Sequence, residues 1–305
     1  MESILNFLPK KIACLVDQIP PNQKEELEEI RIRVDRPIEI TMKGAPRFLP
    51  YIIQPDDASQ LMNKISQFSI YALEEELKRG YITVSGGHRV GLAGKVILEN
   101  GIVKAIRDIS SFNIRIAREK VGIAEPIIPY IYQENWMNTM IIGPPQTGKT
   151  TLLRDIARMI STGTGAIPAS KVGIVDERSE IAGCVNGVPQ LTFGYRLDVL
   201  DACPKAEGMM MLIRSMSPEV IVVDEIGRKE DADAIQEAVH AGIKLIMTTH
   251  GTSIEEINKR PSLREILSLK IFKRFVILSR KSGPGTITRI IDDTGKELSR
   301  KVSVT

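Results

Sequence analysis

Residues 143–151 read Gly-Pro-Pro-Gln-Thr-Gly-Lys-Thr-Thr, a gapless match to the G-x-x-x-x-G-K-[ST] spacing of a phosphate-binding loop. The pattern constrains the fold because it works only where a buried strand gives way to a helix. Gly143 and Gly148 let backbone N–H groups curl around phosphate oxygens, Lys149 reaches the β and γ phosphates, and Thr150 places a hydroxyl on Mg²⁺. The flanks agree with this requirement. Residues 137–142 end in the apolar run Met-Ile-Ile, and Leu152, Leu153, Ile156, Ala157 and Ile160 recur at helical spacing after the loop. A helix starting at the lysine also points its positive end at the phosphates. Gly143, Pro144, Pro145, Gln146, Thr147, Gly148, Lys149, Thr150 and Thr151 are therefore read as the binding loop of ATP with Mg²⁺.

From about residue 137 onward, buried strands alternate with amphipathic helices, which predicts an α/β domain with a mainly parallel sheet. Strands are expected at 137–142, 172–175, 220–223, 243–248 and 272–278. Helices are expected around 150–160, 205–216, 231–241 and 253–268. The last strand together with residues 285–298, with turn signals in Ser282-Gly-Pro-Gly and Thr294-Gly, reads as a small antiparallel tail. The first part of the chain differs: a helical start, the segment Ile30 to Ile40, a helix near 56–79, then glycine-broken strands with a hairpin at 81–94. It predicts a smaller α+β domain. Pro126 and Pro129 mark the boundary, which gives domains of 1–125 and 126–305.

At 305 residues there is room for about two domains, and 43% hydrophobic with 26% charged residues suits a globular chain. No stretch approaches the roughly 18 apolar residues of a membrane span. Lys10, Lys11 and Asp17 break the N-terminus too often for a signal peptide, so a cytoplasmic location is expected. Ile4, Leu5, Leu8, Ile12, Leu15 and Val16 form one helical face, expected to pack on the chain's own core rather than on a membrane. Cys14, Cys184 and Cys203 are odd in number and widely spaced, which argues against both a disulfide framework and a zinc site. A net charge of +3 neither demands nor excludes a polyanionic partner.

Three further strand ends carry candidate chemistry. Val220-Ile-Val-Val-Asp-Glu delivers two carboxylates to the ligand-binding edge of a sheet, where Asp224 can hold the Mg²⁺ shell and Glu225 can polarise the attacking water. Gly173-Ile-Val-Asp-Glu-Arg-Ser-Glu brings a second cluster, Asp176, Glu177 and Glu180, to the same edge. The residues alone leave open which carboxylate is the base and whether one is spent on a salt bridge through Arg178. Met247-Thr-Thr-His ends the next strand, so Thr249 and His250 suit a γ-phosphate sensor. His88 and His240 have no such setting. Phosphoryl transfer also calls for arginine, and Arg89, Arg115, Arg118 and Arg214 are the candidates.

With these residues in hand, the chain resembles the secretion and pilus ATPases of the type II and type IV systems and, more narrowly, a family of stage III sporulation proteins. The likeness rests on Gly-Tyr-Ile-Thr-Val-Ser-Gly-Gly-His-Arg-Val-Gly-Leu-Ala-Gly (80–94), Val-Asp-Glu-Arg-Ser-Glu-Ile (175–181), Asp-Val-Leu-Asp-Ala-Cys-Pro-Lys-Ala-Glu-Gly (198–208) and Met-Ser-Pro-Glu-Val-Ile-Val-Val-Asp-Glu-Ile-Gly (216–227). It runs over nearly the whole chain. The resemblance implies a RecA-like ATPase domain, an aspartate box at 175–180, a Walker B glutamate at Glu225 and a histidine box at His250. It favours a base at Glu177 or Glu180, although Asp-Glu at 224–225 and Asp-Glu-Arg-Ser-Glu at 176–180 depart from the broader family's Gly-Glu and Glu-Asp-Pro. It also implies a hexameric ring, nucleotide clamped between the domains, and Arg89 or Arg115 closing on the phosphate. The implied setting is peripheral, on the mother-cell side of a membrane channel complex in endospore formation, coupled to membrane proteins of that complex and not to nucleic acid.

Two other readings compete with this motor. A nucleic-acid-translocating or repair-type RecA-like ATPase would need a basic, aromatic-bearing channel, and 5% aromatics with Trp136 as the single tryptophan support it little. A nucleotide-gated scaffold that scarcely hydrolyses ATP would have no need of both Lys149 and Glu225.

Overall fold

The computed structural model describes residues 1–66, 74–281 and 283–302, and the chain forms two compact units, Met1–Arg118 and Glu119–Thr305. The first unit holds a six-stranded antiparallel sheet built from β1 (Leu27–Arg33), β2 (Pro37–Met42), β3 (Ala45–Ile52), β4 (Tyr81–Val84), β5 (His88–Glu99) and β6 (Ile102–Arg115), ordered β3-β2-β1-β6-β5-β4. β1, β2 and β4 alternate buried and more exposed residues, as a sheet covered on one face must. Helices α1 (Glu2–Phe7), α2 (Lys10–Asp17) and α4 (Pro55–Ile65), with the short α3 (Pro21–Lys24) between, accompany it. Ile4, Leu8, Ile12 and Val16 are fully buried in this unit's core, so the N-terminal apolar face packs inward. The helix expected near 56–79 is instead α4 and a separate α5 (Glu74–Arg79); 67–73 lie outside the described residues. The segment Ile30 to Ile40 is not one element: it turns at Asp35, in the left-handed region at φ 61°, from β1 into β2.

The second unit contains a two-strand ribbon, β7 (Tyr132–Gln133) and β8 (Asn135–Trp136), and an eight-stranded sheet. The sheet comprises β9 (Thr139–Gly143), β10 (Val172–Asp176), β11 (Leu197–Asp201), β12 (Val220–Val223), β13 (Lys244–His250), β14 (Arg274–Ser279), β15 (Thr286–Asp292) and β16 (Glu297–Val302), ordered β11-β10-β12-β13-β9-β14-β15-β16. From β11 to β14 every neighbour is parallel; β15 and β16 add on antiparallel. After the short α6 (Ile128–Ile131) come α7 (Lys149–Thr162), α8 (Lys205–Ser215), α9 (Lys229–His240), α10 (Ile254–Ile257) and α11 (Pro261–Ser268). β12 shows why this sheet is covered on both sides. Val220 and Val222 join the core beneath α7, whereas Ile221 and Val223 join the opposite core with α8, α9 and α11. The single helix expected over 253–268 is broken, because Pro261 starts a new helix and cannot continue an old one.

The division falls at Arg118/Glu119, seven residues before the boundary drawn from Pro126 and Pro129. Ala124, Ile127, Ile128 and Ile131 are buried in the core of the second unit, and the Ala124 N–H donates to the Asp155 carboxylate on α7. This segment is part of the second unit rather than a linker. No helix among the described residues is long and apolar enough to cross a membrane.

Candidate nucleotide-binding site

The C-terminal ends of β10, β12, β13 and β9 lie on four consecutive strands of the sheet, so the phosphate loop and the three acidic or polar strand ends meet at one edge. Loop geometry dictates the two glycines. A Cβ on Gly143 would come within 2.5 Å of Thr147 Oγ1, and Gly148 adopts φ 87° in the left-handed region that disfavours a side chain. Thr147 is fully buried and its hydroxyl donates to the Pro144 carbonyl at 2.8 Å, which closes the loop on itself. The Gly285 N–H donates to the Thr147 carbonyl at 2.8 Å, so the turn between β14 and β15 rests on the loop's middle.

Lys149 heads α7 with only 4% of its surface exposed. Its ammonium donates to the carbonyls of Gly143 (2.9 Å) and Pro144 (3.0 Å) and reaches His250 Nδ1 at 3.1 Å. Burial lowers its pKa, and the charges of Asp224 and Glu225 oppose that shift. Because an ammonium only donates, His250 Nδ1 is an acceptor here. The proton therefore sits on Nε2, 2.8 Å from Glu225 Oε1. Arg178 holds the other Glu225 oxygen at 3.1 Å. The result is one chain, Lys149 to His250 to Glu225 to Arg178.

Asp224 lies beside it. Thr150 Oγ1 donates to Asp224 Oδ2 at 2.6 Å, Thr248 Oγ1 donates to Asp224 Oδ1, and the Glu225 N–H donates to Thr248 at 2.8 Å. Glu225 has a left-handed backbone, φ 55°, a conformation that costs a non-glycine residue energy and is common at functional sites. Thr150 and Asp224 offer oxygen donors only, the hard set that Mg²⁺ accepts while keeping waters and phosphate oxygens in its remaining positions.

The second acidic strand end is divided in role. Asp176 is nearly fully buried and accepts N–H donors from Glu180 (2.8 Å), Ile181 and Ala182 (both 2.9 Å). Its carboxylate is the post around which residues 177–182 wind. Burial pushes its pKa up to about 6 against the pull of those donors. Glu177 points into a cleft of about 250 Å³ lined also by Arg178, Glu180, Lys205, Asp224 and Glu225. Burial raises its pKa, but the Lys205 hydrogen bond and the charges of Lys205, Arg228 and Arg178 hold it below the usual carboxylate range. Arg154, one turn beyond Thr150 on α7, donates to the carbonyls of Ile181 and Glu180, both at 2.6 Å, and ties the turn to the phosphate-loop helix. Thr249 faces away from this cluster: its hydroxyl is buried and donates to the Ile226 carbonyl at 3.0 Å.

Arg89 and Arg115 belong to the first unit, directly opposite each other across β5 and β6. The Arg89 guanidinium lies 3.6 Å from the centre of the Tyr81 ring, and Arg118 donates to the Leu27 carbonyl at 2.8 Å. Arg214 lies in the last turn of α8, where a cation complements the helix dipole. His88 is buried, between Ser3 and the Ala117 N–H. Arg154, Lys205, Arg228 and Thr248 were not singled out from the sequence. Arg154 was within reach, at i+4 from Thr150 on one helix face. Lys205 and Arg228 meet Glu177 only through tertiary packing, which no local pattern announces.

Comparison with known proteins shows the family and the fold. The family described as "Sporulation stage III, protein AA" matches residues 1–298. A relative from Bacillus subtilis (strain 168), stage III sporulation protein AA, is 58% identical over 304 residues, covering 100% of this chain and 99% of the relative. Among solved structures, the Legionella pneumophila ATPase DotB superposes with a TM-score of 0.58 at 17% identity, covering 89% of this chain and 76% of DotB. The pilus retraction motor PilT with bound ADP gives 0.57 at 16% identity, covering 84% of this chain and 75% of PilT. The fold is thus that of the RecA-like P-loop secretion ATPases, preceded by a separate N-terminal domain with an antiparallel sheet.

Proposed function

Because the chain belongs to the Sporulation stage III, protein AA family, we propose that it is an Mg²⁺-dependent ATPase serving as the motor of a secretion-type channel complex in endospore formation. The observation that carries this reading is the convergence of Lys149, Thr150, Asp224, Glu225 and His250 at one sheet edge, with hydrogen bonds joining Lys149 to Glu225 through His250 and Thr150 to Asp224.

ATP binding in this scheme draws Lys149 away from the Gly143 and Pro144 carbonyls and onto the β and γ phosphates. Thr150 and Asp224 would hold Mg²⁺, which when bound would neutralise charge developing on the phosphate oxygens. Loss of the Lys149 contact frees His250 to meet the γ-phosphate. Glu225, released from His250, orients the water for in-line attack and takes its proton. Glu177 is the poorer base because Lys205 and Arg228 already neutralise it; Glu180 is the second candidate. The open surface beside Thr151, lined also by Glu119, Arg154, Arg158 and Thr192, is where the ribose and base would lie. Arg89 and Arg115, in a hexameric ring, supply the positive charge that a loose phosphoryl transition state requires. The protein acts from the mother-cell side on membrane proteins of the complex.

Phosphate release by the purified chain, measured with its native mass, tests the proposal. Lys149→Ala and Glu225→Gln should each lower turnover at least about 100-fold, whereas Glu177→Gln keeps most of it. A mass near six times the 33.9 kDa of one chain is expected. Activity surviving Glu225→Gln but lost in Glu180→Gln would move the base. Stimulation by single-stranded DNA would replace the secretion reading with a nucleic-acid translocase; Trp136, buried and packed edge-on against Tyr132, is not available to stack on a base.

A further inference from the structure

The far half of the β5–β6 hairpin does not belong to the sheet that carries it. β4 pairs with β5 only at 88–91 and β1 with β6 only at 111–115, so among the described residues 95–99 and 102–107 pair only with each other. The ribbon departs at a bulge. There a Cβ on Gly94 would come within 2.5 Å of the Arg107 carbonyl oxygen, and Asp108 takes φ 46°. At its tip Asn100 and Gly101 have φ of 53° and 78°, a two-residue turn with both centres left-handed, which sets Glu99 opposite Ile102; a second register shift follows between Ile97 and Leu98.

This tip is apolar where solvent should make it polar. Leu98 is 61% exposed and Ile102 73%, with Val96 and Val103 exposed behind them. Residues paired across a ribbon share a face and successive pairs alternate, so Leu98 with Val103 and Ile102 with Glu99 put apolar surface on both faces of the tip. A flat protein partner would cover one face; a fluid apolar medium covers both. Glu99, the acid of the tip, is already paired with Lys104 at 2.8 Å. Three residues behind Leu98, or about 10 Å along the strand, Lys95 and Arg107 stand directly opposite each other. Like charges in that position repel, and an anionic layer about 10 Å from an apolar one relieves the repulsion. Bilayers have that profile, with a headgroup zone of about 5–8 Å over the hydrocarbon.

We propose that the β5–β6 tip is a membrane-docking element that seats Leu98 and Ile102 at the acyl boundary of an anionic bilayer while Lys95 and Arg107 contact the headgroups. The proposal concerns the first unit alone and does not depend on ATP hydrolysis. The full-length chain is co-sedimented with vesicles of phosphatidylcholine and with vesicles containing 30% phosphatidylglycerol. Each unpaired cation contributes about fivefold to partitioning, so binding to the anionic vesicles should be about 30-fold stronger. Leu98→Ser with Ile102→Ser should abolish binding to both vesicles, and Lys95→Glu with Arg107→Glu should remove the preference for anionic lipid. All four positions are exposed or at the ribbon's base, and unchanged circular dichroism confirms that the variants fold. Equal binding by wild type and the Leu98/Ile102 variant overturns the proposal, as does failure of the wild type to bind anionic vesicles. A change of native mass in that variant with vesicle binding intact also overturns it, in favour of a contact between copies.

Discussion

His88 and Asp176 are buried titratable groups with opposite preferences. His88 Nδ1 accepts the Ala117 N–H at 3.0 Å, which leaves Nε2–H to donate to Ser3 Oγ at 2.9 Å. A second proton would sit where the Ala117 hydrogen already is, and burial pushes the imidazole down to about 4 from its usual 6.5. The unfolded chain therefore binds more protons than the folded one between pH 6.5 and 4, so stability falls as pH drops through that window, by about 3 kcal/mol at its end. Asp176, pushed up to about 6 from 3.8, works the other way: the folded form binds more protons between pH 3.8 and 6, and stability rises as pH falls. Acidification from pH 6.5 to 4 should destabilise the first unit and, from 6 downward, stabilise the second. Hydrogen exchange resolved by unit checks this, and His88→Asn, whose Oδ1 still accepts from Ala117, should flatten the response of the first unit.

β9, the phosphate loop and α7 follow one another without a break, and Arg154 joins the 177–182 turn to α7. Replacing Arg154 by Met leaves the carbonyls of Glu180 and Ile181 without a buried donor. It should cost about 2–4 kcal/mol in urea unfolding of the second unit while α7 keeps its helicity. Elements whose placement depends on local pattern were legible from the chain. The loop's glycine spacing, the apolar run of β12 ending in Asp224-Glu225, and β13 ending in His250 each mark their own place at the sheet edge. What stayed hidden depends on partners distant in sequence. β11, Leu-Asp-Val-Leu-Asp, is an edge strand whose residues are all half-buried, so neither a continuous apolar run nor a clean alternation marks it. Glu177 reads as a free carboxylate until Lys205 and Arg228 are placed beside it, and Thr249 reads as a sensor until its hydroxyl is found on the Ile226 carbonyl. The helix expected over 253–268 failed at Pro261 for a reason visible in the sequence but outweighed by the apolar periodicity around it.

Two units with separate cores make a prediction about the whole chain. Residues 119–305, which include the 119–131 segment packed beneath α7, should fold alone and bind a fluorescent ATP analogue; a fragment starting at 126 loses the Ala124–Asp155 bond and part of its core, and should melt at a lower temperature. Circular dichroism of the two fragments distinguishes these outcomes. The turn that lays the Gly285 N–H on the Thr147 carbonyl has a practical consequence. Lys281 is exposed in that turn, so an environment-sensitive dye on Lys281→Cys, with Cys14 and Cys203 replaced by serine, becomes an optical gauge of loop occupancy. Its emission should shift when ATP enters and stay still in Lys149→Ala, which would let each binding event be followed in real time, before any phosphate is released.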